Sequence, residues 1–273
     1  MVVCIRALSF DTRNLRSDLQ FCKNLSMTTF GVTLLSGGLD STTVTAYAKH
    51  NVDHLTAITF HYGQAHGKEV DCARRIAAAM GIEHKFLDIS FLSEVAWYSG
   101  LTNPDVFPIP NYRKSAAVGS SSPITYVPLR NTVFLVLSAA YLESRVLHEI
   151  EVGGMDLEEV TARLYMAANA IDYSGYPDCR PEYVDQITKT LYYGSKLGAE
   201  YDIGIHIETP IIGLSKSDIV KMGVALEAPL DETWSCYHGG EIPCGVCDSC
   251  VLRAKGFDAA GIRDPLLIKL GVE

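Results

Sequence analysis

A chain of 273 residues is long enough to bury a sizeable core without staples, as one large domain or two modest ones. Its 48% hydrophobic and 20% charged residues exclude a disordered or fibrous protein, and a net charge of −9 argues against a broad nucleic-acid surface. The longest apolar run, Val133 to Leu142, is too short to span a bilayer and no secretory signal is legible, which predicts a cytoplasmic protein with neither membrane nor nucleic-acid partners.

The segment ahead of Met27 carries scattered arginines together with Asp11 and Asp18 and lacks an apolar stretch. Residues 1–29 read as an amphipathic extension or as a start placed too early; Met27, just before the first convincing strand, favours the second. Phe30 to Leu35 reads as a buried strand, Ser41 to His50 as a helix and Leu55 to His61 as a second strand. Glu69 to Met80 predicts a helix, with Val70, Ala73, Ile76, Ala77 and Met80 at helical spacing and Gly81 as its stop. His84 to Ile89 alternates like a third strand, and the proline-rich stretch Leu101 to Pro128 reads as a long irregular loop of the functional or mobile kind. Asn131 to Leu142 predicts a buried helix, Val146 to Val152 a fourth strand and Ile203 to Glu208 a fifth. Strands alternating with helices imply an α/β fold, with a Rossmann-like parallel five-stranded sheet covered on both faces over residues 30–212. After Pro210 the texture changes to short helices, with Ser215 and Asp218 spaced as a capping box and Leu252 to Ala260 as a further helix, so residues 213–273 read as a small C-terminal helical subdomain.

The turn LLSGGLDSTTVT joins the first strand to the first helix. Such a unit gathers backbone N–H groups and the positive end of a helix at one point, which suits a phosphate. Gly37 and Gly38 allow close backbone approach, and Ser36, Ser41, Thr42 and Thr43 offer hydroxyl donors. Asp40 would repel phosphate, so it orients the loop or helps hold Mg2+. No lysine follows the glycines, so this is not a Walker loop. A plain connecting turn is the alternative reading for an isolated glycine pair.

Four of the eight cysteines, Cys236, Cys244, Cys247 and Cys250, form a C-x7-C-x2-C-x2-C cluster, while Cys4, Cys22, Cys72 and Cys179 are scattered. Without an export signal, clustering favours metal over disulfides, and four thiolates suit a closed tetrahedral Zn2+ site. An iron–sulfur cluster or a redox pair are the alternatives. A metal there would pin a subdomain too small to fold alone.

The string SGGLDST resembles the SGGxDS pyrophosphate loop of ATP-dependent adenylating enzymes with the adenine nucleotide alpha-hydrolase-like fold. FHYGQAH (Phe60 to His66), YVPLRN (Tyr126 to Asn131), NAIDYSGYPDCRP (Asn169 to Pro181) and WSCY with CGVCDSCVLR (Trp234 to Arg253) narrow the resemblance to the 7-cyano-7-deazaguanine synthase family, from about Phe30 to Pro265. That resemblance implies an ATP-dependent carbon–nitrogen ligase of queuosine and archaeosine precursor synthesis. It would activate 7-carboxy-7-deazaguanine as an acyl-adenylate, let ammonia form the amide, and activate the amide again to give the nitrile. ATP, Mg2+ and Zn2+ are the implied cofactors, small molecules the partners and a homodimer the assembly. The pyrophosphate loop argues for AMP rather than ADP as product.

Within that resemblance, Leu35, Ser36, Gly37, Gly38, Leu39 and Asp40, with Ser41, Thr42, Thr43, Val44 and Thr45, form the ATP loop. Arg130 pairs with a carboxylate or the α-phosphate; Asp172 accepts from the guanine-like edge; Lys216 reaches a phosphate. With Asp40, these are the expected catalytic residues. Arg130, Asn131, Asn169, Asp172, Tyr173, Tyr176, Asp178 and Arg180 are expected to hold the substrate, the tyrosines by stacking. For each, packing, capping or a structural ion pair is the plainer alternative. Tyr62 and Gln64 are placed near the nucleotide, His61 and His66 are weaker proton carriers, and Cys179 reads as packing rather than nucleophile. One departure from the family pattern is expected: MDLEEVTARLYMAA, between Gly154 and Asn169, reads as an inserted helix with Leu157, Val160 and Leu164 inward and Glu158, Glu159 and Arg163 outward. Rival functions are another pyrophosphate-loop enzyme, such as a tRNA sulfurtransferase or lysidine synthase, and a non-catalytic nucleotide-binding module. The ammonia source is not legible beyond the lack of a glutaminase signature.

Overall fold

Five parallel strands form one sheet in the order β3-β2-β1-β4-β5, in a computed structural model that describes residues 27–64, 67–108, 122–170 and 176–272. The strands are β1 (Thr28–Leu34), β2 (His54–His61), β3 (Glu83–Asp88), β4 (Val160–Tyr165) and β5 (Ile205–Glu208). Between them run α1 (Leu39–Asn51), α2 (Lys68–Met80), the short α3 (Leu92–Val95), α4 (Arg130–Glu151), α5 (Pro181–Gly194) and α6 (Lys196–Tyr201). After β5 come α7 (Lys216–Ala225), α8 (Asp248–Ala260) and α9 (Pro265–Lys269). Residues 1–26, and with them most of the expected N-terminal extension, Cys4 and Cys22, lie outside the described residues.

The middles of β1 and β2 are buried continuously, as a parallel sheet covered on both faces requires. Alternate residues serve the two faces: Phe30, Val32, Ile58, Phe60 and Leu164 pack with Leu135, Leu142 and Val146 of α4, whereas Ala57 packs with Cys72, Ala73 and Ile76 of α2. The helix α2 ends as its sequence predicts, with Gly81 in the left-handed conformation at φ 62° and its N–H returned to Ala77 and Ala78 carbonyls.

Two expectations are corrected. Val146 to Val152 is not a strand; apart from Val152 it is the end of the 22-residue α4. The buried positions Leu135, Ser138, Ala139, Leu142 and Val146 continue one helical stripe, which outweighs the β-branched content of a short run. The fourth strand is β4, inside the segment read as an inserted helix. Val160, Ala162 and Leu164 alternate inward along it, and a single 3-10 turn, Leu157–Glu159, precedes it. No helix of the expected kind lies there: β4 ends at Tyr165, four residues ahead of Asn169. Of the loop Leu101 to Pro128, residues 109–121 lie outside the described residues.

The C-terminal helices pack on α1 through Leu39, Val220, Leu230 and Phe257. Ser215 caps α7: its hydroxyl accepts from the Asp218 N–H at 3.3 Å and donates to the Asp218 carboxylate at 2.6 Å. Arg253 of α8 is buried and holds Asp264 through two bonds of 2.6 and 2.8 Å, with a third, 2.7 Å, to Thr233 Oγ1. Asp264 in turn accepts from the Leu266 N–H at the start of α9. Removing one partner strands a buried charge, so Asp264→Ala is expected to cost about 3–5 kcal/mol, read as a shift of the urea midpoint. An unchanged midpoint would show that the pair is solvated.

Candidate active site

The strand order reverses between β1 and β4, and in open parallel sheets the crevice above such a switch point is where ligands bind. Here it is a cleft of about 320 Å³. Leu34 enters it from the end of β1 with Leu35 and Ser36 just beyond, Phe60 from β2 with Tyr62 just beyond, Met166 and Ala167 from the chain following β4, Arg130, Asn131 and Phe134 from α4, and Lys216 from α7.

The glycine turn forms its floor. The Ser36 N–H donates to Ser41 Oγ at 3.2 Å, the two serine hydroxyls are 2.9 Å apart, and the Gly38 N–H reaches Ser36 Oγ at 3.3 Å. Thr42 donates its N–H and its hydroxyl to the Gly38 carbonyl at 3.1 and 2.8 Å. The amides of Gly37, Leu39, Asp40 and Ser41 make no hydrogen bond to any described residue. Four unspent donors at the start of a 13-residue helix make an anion cradle. Gly37 sits at φ 87°, and a Cβ there would lie 2.2 Å from the Glu69 carbonyl of α2. On its other side the Gly37 carbonyl accepts the Trp234 N–H at 2.8 Å. The loop is thus held between α2 and the chain leading to the cysteines.

Ser36, Gly38, Leu39, Asp40 and Ser41 line the cleft; Thr42, Thr43, Val44 and Thr45 do not. They are buried along α1, where Thr45 Oγ1 is 3.0 Å from Thr33 Oγ1 and Val44 packs on Tyr165 and Ile219. A helix turns 100° per residue, so a continuous string of residues cannot all face one ligand.

Asp40 is paired with Lys216, whose Nζ donates to both carboxylate oxygens at 2.9 and 2.7 Å. Gly256 of α8 crosses the lysine stem so closely that a Cβ would meet Lys216 Cγ at 2.4 Å. The pair bridges the first helix and the C-terminal segment at the edge of the cradle.

The opposite wall is aromatic and charged. Phe60 and Phe134 stack at 4.4 Å, and Arg130 reaches the Tyr62 hydroxyl at 3.4 Å with its guanidinium 5.7 Å from that ring. Gln64 accepts the Tyr62 N–H at 2.8 Å and braces the end of β2. Tyr176 is 2.9 Å from Thr125 Oγ1 and packs by Tyr126. Asn169 is buried and spends its amide N–H groups on the Ile211 and Leu214 carbonyls, fixing the loop after β5. Asp178 is buried behind the wall; burial raises its carboxyl, against the pull of Arg130, and its Oδ1 has no partner among the described residues. Burial, then the charge of Asp178, pushes the Cys179 thiol up to about 11, so it is protonated at neutral pH, in keeping with a packing role. Arg180 is exposed outside the cleft, at the start of α5. His61 is half-buried and stacks on Phe86. Asp172, Tyr173 and His66 lie outside the described residues.

Several lining residues escaped sequence reasoning. Glu69 enters from the first turn of α2, and Trp234, Ser235, Tyr237 and Arg253 from the C-terminal segment. Trp234, Ser235, Tyr237 and Arg253 belong to quoted motifs, which was the available signal; Glu69 lies just beyond FHYGQAH and carried none.

The four cysteine sulfurs lie within 4.8 Å of one another. Cys244 Sγ and Cys250 Sγ are 3.9 Å apart, close to the roughly 3.8 Å edge of a tetrahedron with 2.3 Å bonds. The Cys244 N–H points at Cys236 Sγ and the Cys247 N–H at Cys244 Sγ, both at 3.4 Å, which suits thiolates rather than thiols. The residues fit a four-thiolate metal site. Lys68 fastens it to α2, donating to the Gly240 and Glu241 carbonyls while its Nζ lies 3.7 Å over the Trp234 ring.

A parallel five-stranded sheet with an open cradle of amides at its switch point and a cysteine cluster tied to that cradle defines an α/β protein built to hold an anion beside a metal-type site. No helix among the described residues is long and apolar enough to cross a membrane. The chain belongs to the family of queuosine biosynthesis protein QueC, whose family model matches residues 31–261. It is 45% identical over 235 residues to the 7-cyano-7-deazaguanine synthase of Thermoplasma acidophilum, covering 86% of this chain and 90% of that one. To the 7-cyano-7-deazaguanine synthase of Oceanobacillus iheyensis it is 41% identical over 236 residues, covering 86% and 96%. Among solved structures, NMN synthetase from Francisella tularensis aligns over 97% of this chain and 88% of its own at 16% identity and a TM-score of 0.39, a likeness too low to carry an argument.

Proposed function

We propose that this protein is a 7-cyano-7-deazaguanine synthase, an ATP-dependent carbon–nitrogen ligase that turns 7-carboxy-7-deazaguanine and ammonia into the nitrile through two adenylations. The observation that carries the reading is the set of unspent amides in the glycine turn, those of Leu39, Asp40 and Ser41 belonging to residues that line a cleft which also holds Lys216 and Arg130. A carboxylate is a poor electrophile, and adenylation supplies the leaving group that oxide is not. The chain's own part is then to place the reactants and to stabilise phosphate charge. The cradle takes the pyrophosphate that leaves, with Lys216 beside it; Asp40 orients Lys216, and Mg2+ arrives with the triphosphate. Arg130 is suited to the α-phosphate or the substrate carboxylate. Asn131 and Tyr176 line the heterocycle's pocket with Asp178 buried behind them, Asn169 holds its floor, and Asp172 and Tyr173 take the base edge and face by family resemblance. Arg180 acts from outside the cleft, at the start of α5. Residues 213–273 form a Zn2+-pinned subdomain on the α/β domain of residues 30–212, and the protein works as a homodimer in the cytoplasm.

The test is direct. Purified protein with the deazapurine acid, ammonia and Mg-ATP is expected to release the nitrile, AMP and pyrophosphate, read by mass spectrometry. Nucleotide binding without nitrile would favour the binding module, and pyrophosphate exchange dependent on tRNA would favour a tRNA-modifying enzyme. Lys216→Ala is expected to lower kcat/KM by ~100-fold or more in the same assay, as loss of a donor to developing phosphate charge does. A change of under threefold would place Lys216 outside the reaction.

A further inference from the structure

Making a nitrile requires one step that the adenylation machinery does not supply. Once the amide oxygen carries AMP, the nitrogen of the resulting imidate still bears a hydrogen, and it must leave as a proton while the carbon–oxygen bond breaks. A base has to stand in the cleft, on a rigid element, with its carboxylate not already committed to a partner. The described carboxylates in or behind the cleft are three. Asp40 is already held by two bonds from Lys216. Asp178 is buried behind the wall and is not among the residues lining the cleft. Glu69 lines the cleft itself, and its carboxylate makes no hydrogen bond or ion pair with any described residue.

The backbone places Glu69 closely. Its own carbonyl is pressed against Gly37, so the turn of α2 that carries it is locked to the floor of the site. The titratable and charged groups whose electrostatic influence reaches it are the Arg130 guanidinium from α4, the Tyr62 hydroxyl beyond β2 and the Cys72 thiol on its own helix. Its position in the first turn of α2 favours the anion, and so does Arg130; burial opposes both and wins, pushing the carboxyl up to about 7. A carboxyl in that range is a better proton acceptor than an ordinary one and is still largely ionised just above neutrality. A plain surface acid in a helix's first turn would be fully exposed; Glu69 is half-buried in the cleft wall.

We propose that Glu69 is the base of the nitrile-forming step. The imidate N–H proton passes to the Glu69 carboxylate, the electron pair of that bond becomes the third carbon–nitrogen bond, and the carbon–oxygen bond breaks to release AMP. Arg130 steadies the departing phosphate, and the protonated Glu69 returns its proton to water when the cleft opens. The inference rests on the synthase reading and adds to it the identity of the base.

The experiment separates the two. Feeding the carboxamide and Mg-ATP, without ammonia, isolates the second activation and the elimination. Glu69→Gln is expected to slow nitrile formation from the amide by ~100-fold or more, while pyrophosphate exchange driven by the carboxylic acid stays within about threefold. Acid plus ammonia should then pile up amide. In the wild type the rate of amide conversion should climb with pH through about 7, because the base acts when deprotonated; Glu69→Gln should lose that limb, and Glu69→Asp should keep it at a reduced rate. The proposal is overturned if Glu69→Gln makes nitrile from amide within threefold of wild type with the limb intact. It is overturned as well if exchange and elimination fall together in both variants, which marks a structural role. A wild type that makes no nitrile sinks the synthase reading itself, and this one with it.

Discussion

Adding a single methyl group at Gly37 is expected to lower kcat/KM by ~100-fold or more and to destabilise the fold by about 2–4 kcal/mol. Two independent penalties act at this residue. At φ 87° the backbone is in a region that side chains avoid, and the new Cβ would lie 2.2 Å from the Glu69 carbonyl and 2.9 Å from the Ala73 amide nitrogen. Both are backbone atoms of α2, which cannot swing aside as a side chain can. The loop must shift instead, and its shift moves the amides of Leu39, Asp40 and Ser41 as well as Glu69. Gly38 is the comparison. It has ordinary dihedrals, and the nearest obstruction to a Cβ is the Ser36 hydroxyl at 3.4 Å. Gly38→Ala should therefore cost far less stability. Thermal melts and steady-state kinetics on the two variants check the pair. Equal midpoints would mean that α2 and the glycine turn are not in contact.

Stripping the metal, or replacing Cys247 by Ser, is expected to destabilise the protein by more than ~4 kcal/mol. It is also expected to loosen the nucleotide cradle some distance from the sulfurs. The physical link is short. Trp234 donates its backbone N–H to Gly37 and its indole N–H to the Cys236 carbonyl at 3.0 Å. One residue therefore holds the cradle at one end and the cysteine loop at the other. Metal analysis should find one Zn2+ per chain. Chelation should raise the hydrogen-exchange rate of residues 234–250 and change Trp234 fluorescence, and the Michaelis constant for ATP should rise before turnover is lost. A chain purified without metal and as stable as its Cys247→Ser variant would remove the site from the account. Iron in place of zinc would keep the geometry and change the metal.

Local chemistry made much of this protein legible. The glycine turn, its placement between a strand and a helix, the α2 stop at Gly81, the α7 cap at Ser215 and the four-cysteine cluster all depend on residues close in sequence, and each appears where it was expected. The misread segment shows where such reasoning stops. Val146 to Val152 and Val160 to Tyr165 are both short runs of mixed apolar and charged residues, and each satisfies either period over so few positions. What chose between them was the neighbours. The slot beside β1 pairs Val32 with Leu164 and Phe30 with Ala162, and α4 could keep its stripe on the sheet only by continuing through Val146.

The amino-acid sequence by itself determined a glycine turn suited to an anion, a metal-type cysteine cluster and an alternating α/β chain, because each depends on residue types at fixed short spacings. Only the tertiary structure decided which loop residues face the cleft, that Asp40 belongs to Lys216, that Trp234 ties the cysteines to Gly37, and that Glu69 stands opposite Arg130. Those relations join residues tens to nearly two hundred positions apart. A parallel sheet brings the carboxyl ends of all its strands to one edge whatever their order in the chain, and that convergence, which no local pattern records, assembles the site.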